Sequence, residues 1–578
     1  MKVLLLHPED ALGQLHPTQQ WDLVVDMARA PASTYERWSR EARCPVTSIY
    51  DHAEETRDLD RLREFLQLGI GLVVDKYGID WWDFFSLEIA SGLQRVMLVH
   101  RLAKALSPNC DLYSTRLDPA ASALQRLLGA RVTYLGSPLQ SAHRRIRRCY
   151  EAFSRLDRAE LLQIFEDKFD ADHSIRRCFT VRRSSPRRPS VLLPSAYVNV
   201  SRTALAYAAL LPHQQFMLVV ARRNGYPEVV PRNVVVASLT PYFGATDKQE
   251  LACLRESWDN LKTWLAGCGA EFKTAALEGL LGPGSAPFGW GIAVRDAWLR
   301  FFASEPVTAC LSADDSNPIT RIPLILAKNE GIPALVCHHG ALDFRMAIKV
   351  NHADFYLAKS EMERDYLRRV CHLSPEKIVV AAPACAKPVA LRRRARNSAP
   401  WLVFFTEPYP SFVWRRDEVY RELLPRLFSL AQSCGLNLVF KLHPFESVKD
   451  HRRMLRRLIP EHERSIKVLA GPPSDQLWNN AQVALTAQSS TALECAGLGI
   501  PVFLCAWLRD PYSGYVQQYA QFGVGHVLES AEQIAAIPGL MDREHELAPQ
   551  AQVSRRTIDS DKLAHLFRGH SLPVASNA

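Results

Sequence analysis

His443 closes an apolar run in the stretch NLVFKLHPFES and stands directly before Pro444. If the run is a buried strand, the proline fixes the turn and biases His443 toward an extended backbone. An imidazole held there can offer a hydrogen bond or a positive charge to a phosphate oxygen. Lys441, two positions earlier on the same strand face, adds a second cation. The competing reading is a structural histidine satisfied by a carbonyl.

A second strand end has a different composition. In QVALTAQSSTALECAGLGIPVFLC an apolar run gives way to Ser489, Ser490 and Thr491, and a helix to Gly497 or Gly499 follows. Three hydroxyls beside the first helical turn make an anion site, since that turn leaves amides unpaired at the positive end of the helix dipole. Glu494 follows Ser490 by four residues and shares its helix face, where it can accept hydrogen bonds from ribose hydroxyls. Simple capping by the serines, with a Thr491–Glu494 capping box, explains the same residues.

Two further strand ends occur in VTACLSADDSNPITRIPLILAKNEGIPALVCHHGALD. Asp314 and Asp315 follow the first apolar run, then the polar helix-starting residues Ser316, Asn317 and Thr320, with Arg321 next. Adjacent carboxylates raise one another's pKa and can supply a general base or hold a metal; Asp315 could equally cap the following helix. His338, His339 and Gly340 follow the second run. Because strand side chains alternate, His339 is the histidine expected toward the ligand side. The spacing of these residues fits no strong metal-ligand motif, so no metal is assigned.

The elements that must position these residues alternate between strand-like and helix-like patterns along almost the whole chain, the mark of parallel sheets flanked by helices. Ligands of such sheets bind beyond the carboxyl ends of the strands, which gives weight to all four strand ends. Three regions separate. Residues 1–185 open with KVLLL, hold the aromatic stretch DKYGIDWWDFFSLEI, and continue with strands at DLYSTR and RVTYLG around a helix beginning near Pro119. The aromatic cluster fits either a domain core or an exposed membrane or partner surface. From Gly136 this region becomes helical and basic, ending in the linker-like RRSSPRRPS. Residues 186–390 begin with SVLLPSAYVNVSRTALAYAALL, where Ser201 or Thr203 caps a helix, and add strands at FMLVVA, NVVVASL, VTACLS, IPALVC and ADFYLA. After the charged break PVALRRRARNSAP, residues 391–578 repeat the theme with WLVFFTE, LNLVFK, IKVLAG, QVALTA, IPVFLC and GHVLES.

A His-Pro strand end, a Ser-Ser-Thr helix start with a glutamate, and a GxGIPVF continuation together resemble the nucleotide-sugar half of glycosyltransferases built from two facing Rossmann-like domains, the GT-B fold. More narrowly, the pair looks like that of bacterial sialyltransferases, polysialyltransferases and related capsule transferases, where these motifs bind the cytidine monophosphate of the donor. Teichoic-acid glycerophosphotransferases carry similar short motifs. The resemblance implies nucleotide binding by His443, Lys441, Ser489, Ser490, Thr491 and Glu494. It also implies an acidic base in the preceding half of the core. The family's acidic motif includes a glycine that this chain lacks, which leaves the base open among Asp314, Asp315 and His339. The expected fold is therefore α/β, two facing Rossmann-like domains preceded by an accessory, acceptor-binding or docking α/β region. The expected activity is transfer of a sugar from a nucleotide donor, such as a CMP-linked acidic sugar, to a surface glycan or lipid-linked glycan across an interdomain cleft. A monophosphate leaving group requires no metal, and no cofactor is expected. Transfer from a nucleotide-diphosphate sugar, transfer of glycerol phosphate, a sugar epimerase, and a non-catalytic scaffold in polysaccharide assembly are the alternatives.

Composition is that of a folded protein with more than one core. At 47% hydrophobic and 23% charged residues, the chain has material for several cores, and its length exceeds what one core supports. The net charge of +9 sits in runs: HRRIRRC, RRSSPRRP, LRRRAR and HRRMLRRL. Such runs suit an anionic membrane surface or a phosphorylated ligand, or are solvated faces. No pattern of a nucleic-acid-binding module accompanies them. The 13 cysteines lack paired C-x-x-C spacing and sit in apolar stretches, as buried thiols of a reducing compartment do. An apolar run too short for a signal peptide, and no window of roughly twenty apolar residues, point to a cytoplasmic protein, peripheral at most on the inner membrane face.

Overall fold

The computed structural model describes residues 1–8, 10, 20–116, 118–135, 188–221, 225–227, 229–245, 247–282, 285–340, 342, 344–382, 400–407, 414–444, 446–509, 515–546 and 558–569. The class is α/β, and the strands form three sheets in which every pairing is parallel. The first contains β1 (Lys2–Leu6), β2 (Leu23–Asp26), β3 (Val46–Ser48), β4 (Asp111–Ser114) and β5 (Val132–Tyr134), in the order β3-β2-β1-β4-β5. The second contains β6 (Ser190–Ser195), β7 (Phe216–Val220), β8 (Val234–Ser238), β9 (Val307–Ser312), β10 (Ala334–Cys337), β11 (Phe355–Ala358) and β12 (Ile378–Val380), in the order β12-β11-β10-β9-β6-β7-β8. The third contains β13 (Trp401–Phe405), β14 (Asn437–Lys441), β15 (Lys467–Leu469), β16 (Ala481–Thr486), β17 (Val502–Cys505) and β18 (His526–Leu528), in the order β15-β14-β13-β16-β17-β18.

Helices cover both faces of such sheets, so their inner strands are apolar throughout instead of alternating. Accordingly β6, β7, β10, β11, β13 and β17 are buried at every position, and Cys310, Cys337, Cys495 and Cys505 lie fully inside as free thiols. Each sheet starts at a central strand, winds outward, then returns to the other side of that strand. The third has the order of a dinucleotide-binding Rossmann sheet, and the second shares it with one strand more. The points where the winding reverses lie between β1 and β4, β6 and β9, and β13 and β16.

The sheets are distributed over two compact units. One takes the described residues within Met1–Asp58, Gln94–Arg155 and Pro388–Val553; the other takes those within Leu59–Leu93, Leu156–Lys387 and Ser554–Ala578. The aromatic stretch belongs to the second unit and forms core. Trp81 and Trp82 are 0% exposed, Trp81 stacks on Phe288, and Trp82 packs against Trp258. Their indole N–H groups donate to Asp75 at 3.1 Å and to the Leu66 carbonyl at 2.7 Å. A Cβ on Gly69 would lie 2.3 Å from the Trp82 ring, so the helix there can approach the indole only through glycine. Asp83, next in sequence, receives Arg321 at 2.5 Å and pairs with His352 at 2.7 Å. Burial pushes its carboxyl up, but the Arg321 charge and the bonds from His352 and the Val350 N–H outweigh burial and leave it at about 2.

Among the described residues no helix is long and apolar enough to cross a membrane. Of the four basic runs, HRRMLRRL alone is described in full, within the helix Val448–Leu458. The other three lie wholly or mostly outside the described residues, as do the basic stretch after Gly136 and most of the charged break.

Candidate functional site

The three reversal points have different contents. Between β1 and β4, His7 pairs with the Ser114 hydroxyl at 3.0 Å, and Asp10 accepts the His7 backbone N–H at 3.1 Å. Arg415, at the start of the helix Arg416–Ser433, fills this position. It donates to both oxygens of Asp26 at 2.8 and 2.9 Å and to the carbonyls of His7, Pro8 and Asp10 at 2.7, 3.0 and 2.7 Å. The chain's own guanidinium thus occupies the place where a ligand of this sheet would sit.

Between β6 and β9 stand Tyr197 and Asp314. The helix Val198–Ala208 starts earlier than the expected Ser201 or Thr203 cap, with Tyr197 at the cap position. Ser201 is inside the first turn, bonded to Ser195 and the Gly225 carbonyl at 2.6 Å each. Asp314 is fully buried and accepts from the Tyr197 hydroxyl (3.1 Å), Asn317 amide (2.5 Å), Thr320 hydroxyl (3.4 Å), and Ser316 N–H (3.1 Å) and hydroxyl (2.6 Å). A carboxylate offers about four lone-pair positions, so its accepting capacity is filled. Burial pushes Asp314 up, but His339, His338, the Ser316 bond and Lys349 more than reverse this and hold it well below the ordinary carboxylate range. Asn317, not Asp315, caps the helix Pro318–Asn329. Asp315 turns to other partners: it forms a buried ion pair with Lys349 and accepts from the Tyr356 hydroxyl at 3.1 Å.

The two histidines follow the end of β10, so strand alternation no longer separates them. Their rings stack with centroids 5.1 Å apart, and both reach Asp314. His339 Nδ1 lies 3.1 Å from the Ala313 carbonyl. A carbonyl only accepts, so Nδ1 carries the proton and the Nε2 lone pair is left open. His338 is the opposite tautomer, because its Nδ1 accepts the Gly340 N–H at 3.3 Å. Burial lowers both imidazoles, that of His338 to about 3. Asp314, His338 and His339 offer ligand atoms within 4.8 Å of one another, a spacing a metal ion could span. A metal there would have to displace donors that already fill Asp314 and His338 Nδ1.

In the third sheet Lys441 and His443 stand at the end of β14, and Ser489, Ser490, Thr491 and Glu494 follow β16, on the other side of β13. The His443-Pro444 turn is fixed from behind: the His443 N–H donates to the Thr406 hydroxyl at 3.1 Å and to Glu446 at 3.2 Å, while Thr406 itself donates to Glu446. Glu446 is held in turn by Arg416 at 3.2 Å. Lys441 is buried and its ammonium donates to the Leu442 carbonyl at 2.9 Å. The Ser489 N–H donates to Thr486 at 3.2 Å, and the Ser489 hydroxyl accepts from the Thr491 N–H (3.4 Å) and hydroxyl (3.0 Å). The amides expected to be free are partnered: Ala492 N–H bonds the Ser489 carbonyl at 3.0 Å and Leu493 N–H the Ser490 carbonyl at 3.1 Å. The Ser490 hydroxyl makes no cap bond, which separates it from its neighbours. Glu494 lies half-buried on the first turn of the helix Thr491–Gly497.

Two residues at these points were not singled out from the sequence. Tyr197 follows the first strand of its sheet by two residues and Glu407 follows β13 by two, so both obey the strand-end rule. Glu407 accepts from the Gln488 backbone N–H and the Thr486 hydroxyl, tying the end of β13 to that of β16.

No protein-family model matches the sequence, and no curated protein is similar to it by sequence. Solved structures align at low identity. A UDP-GlcNAc 2-epimerase from Neisseria meningitidis bound to UDP-GlcNAc is 9% identical, with 66% of this chain and 100% of that one covered and a TM-score of 0.40. A UDP-GlcNAc 2-epimerase from Methanocaldococcus jannaschii is 10% identical, with 66% and 99% covered and a TM-score of 0.40. The wall teichoic acid polymerase TagF is 12% identical, with 75% and 98% covered and a TM-score of 0.39. Similarity at this level is too low to decide function.

Proposed function

We propose that this chain is a glycosyltransferase that moves a sugar from a nucleotide donor, a CMP-linked acidic sugar in the reading the motifs favour, to a surface glycan. The observation that supports it is the concentration of chemically competent side chains at the reversal points of two Rossmann-like sheets, while that of the first sheet is filled by Arg415. The third sheet takes the nucleotide: His443, on a turn made rigid by Thr406 and Glu446, and the Ser490 hydroxyl meet its phosphate. The second sheet supplies the base. Asp314 is saturated and Asp315 is paired with Lys349, so the proton of the attacking hydroxyl goes to Nε2 of His339, with Asp314 stabilising the imidazolium that forms. The leaving phosphate needs hydrogen-bond donors and positive charge rather than a covalent partner.

Thermal unfolding with CMP, CDP, UMP, UDP and GDP tests this, on the native chain and on the His443→Ala and Ser490→Ala variants. A ligand present at a hundred times its dissociation constant stabilises the folded state by about 2.7 kcal/mol. Selective stabilisation by CMP, lost in both variants, is the expected result. Preference for UDP or CDP would replace the donor with a nucleotide-diphosphate sugar or an activated glycerol phosphate. No stabilisation by any of the five at millimolar concentration would refute the transferase and leave the scaffold.

A further inference from the structure

Glu407 has no role in the chemistry above, and its surroundings are unusual. It follows the central strand β13 by two residues, and the residues that hold it, Thr486 and Gln488, end β16 and begin the next turn. It therefore straddles the reversal point of the third sheet, where the phosphates of a Rossmann-bound nucleotide lie. Its Oε1 is buried and has no hydrogen-bond partner among the described residues. The charged neighbour that acts on it is another carboxylate, Glu446, which is itself compensated by Thr406, Arg416, the His443 N–H and Lys441. Of the other polar groups packed at this point, Lys441 donates to the Leu442 carbonyl and faces Glu446, His451 pairs with Arg416, and Tyr420 faces both Glu446 and Glu407.

We propose that Glu407 contacts the ligand of the third sheet as an uncharged carboxylic acid, donating a hydrogen bond to a phosphate oxygen. Resting on the nucleotide-site reading, this adds a contact that favours a phosphate only while the acid is neutral. A carboxylate at the same place would repel the phosphate, and its free oxygen would accept where a donor is needed. Burial and then Glu446 raise the group to about 8, against the two bonds from Gln488 and Thr486, so the acid form dominates at neutral pH. Glutamine in its place keeps a donor of the same shape without the titration.

The test is calorimetric binding of CMP and, separately, UDP to the native chain and to Glu407→Gln between pH 6.5 and 9.5. Native affinity should hold to about pH 8 and then fall roughly tenfold per pH unit. Glu407→Gln should bind within about threefold of the native chain at pH 7 and lose the alkaline fall; native binding near pH 8 should take up protons. The same alkaline profile in both proteins would overturn the role of Glu407 and leave the nucleotide site standing. Loss of binding in Glu407→Gln at pH 7, with melting unchanged, would show that a carboxylate is required and would also overturn it. Binding of neither nucleotide to either protein would remove the site itself, and this proposal with it.

Discussion

Replacing Arg415 by methionine should be among the most damaging single changes in the chain. The guanidinium is 7% exposed and directs five hydrogen bonds at Asp26 and three backbone carbonyls, with the face of Trp38 4.9 Å away. Methionine conserves much of the volume, so the loss is electrostatic rather than a cavity. Among the described residues it leaves the buried Asp26 carboxylate with the Ala28 N–H at 3.0 Å and the Tyr35 hydroxyl at 3.2 Å, and three carbonyls lose a charged donor. Removing one partner of a buried pair costs about 3–5 kcal/mol. For a body of this size that lowers Tm by on the order of 10 °C. Lysine keeps the charge but cannot fork across Asp26, so Arg415→Lys should recover less than half. The assay is urea unfolding followed by tryptophan fluorescence, with Arg453→Ala as control. Arg453 meets Asp450 at 3.6 Å from an exposed position, and such pairs contribute no more than about 1 kcal/mol. A loss below about 1 kcal/mol in Arg415→Met, with the denaturant slope unchanged, would refute the assignment of Arg415 as the group that closes the first sheet.

Further outcomes follow from the same geometry. His338 and His451 are lowered to about 3, chiefly by burial and then by His339 and Arg416 respectively. The unfolded chain binds protons the folded one refuses, so their contribution is intact above about pH 6.5 and fades as pH falls toward 3. Each should cost about 2 kcal/mol at pH 5 relative to pH 7, and equal urea midpoints at the two pH values would contradict this. His339→Gln should cut transfer by 10²–10⁴ with nucleotide affinity unchanged, and since burial lowers the imidazole, the acid limb of the native rate should lie below pH 6.5. Ser490→Ala should weaken nucleotide binding without moving the melting temperature, whereas Thr486→Val, which removes bonds to Ser489 and Glu407, should lower stability by about 1–3 kcal/mol. Trp81→Ala should cost about 3–5 kcal/mol, measured by denaturation; a surface role for the aromatic stretch predicts almost no loss.

Apolar runs five or six residues long were enough to place most strands before any coordinates. β13 and β14 fall within WLVFFTE and LNLVFK, and β16 overlaps QVALTA in all but its first residue, because a strand buried on both faces must be apolar throughout. β2, β3 and β12 escaped; β5, β15 and β18 are equally short and were placed, so length alone does not account for the difference. The cap of the helix at Val198 lies four residues before Ser201 and six before Thr203; Ser201 looks like a cap, yet its hydroxyl is used inside the core.

Strand-end chemistry was legible for the same reason that strands were: polar residues directly after a buried run must leave the sheet at its carboxyl edge. That placed His443, Ser489, Asp314 and His339 correctly at strand ends. It could not tell which polar atoms remain open, because that depends on partners distant in sequence. Asp314 takes most of its donors from Ser316, Asn317 and Thr320 close by in sequence, with Tyr197 added from 117 residues away, while Asp315 is taken by Lys349 and Tyr356. Arg415 looked like any basic residue before a helix, yet it closes a sheet almost 390 positions earlier. The sequence by itself determined where strands end and which side chains stand there, since burial and backbone pairing act locally. Only the tertiary structure decided which of those side chains are spent on the fold and which are left for a ligand, because donors and acceptors are balanced across the whole folded unit.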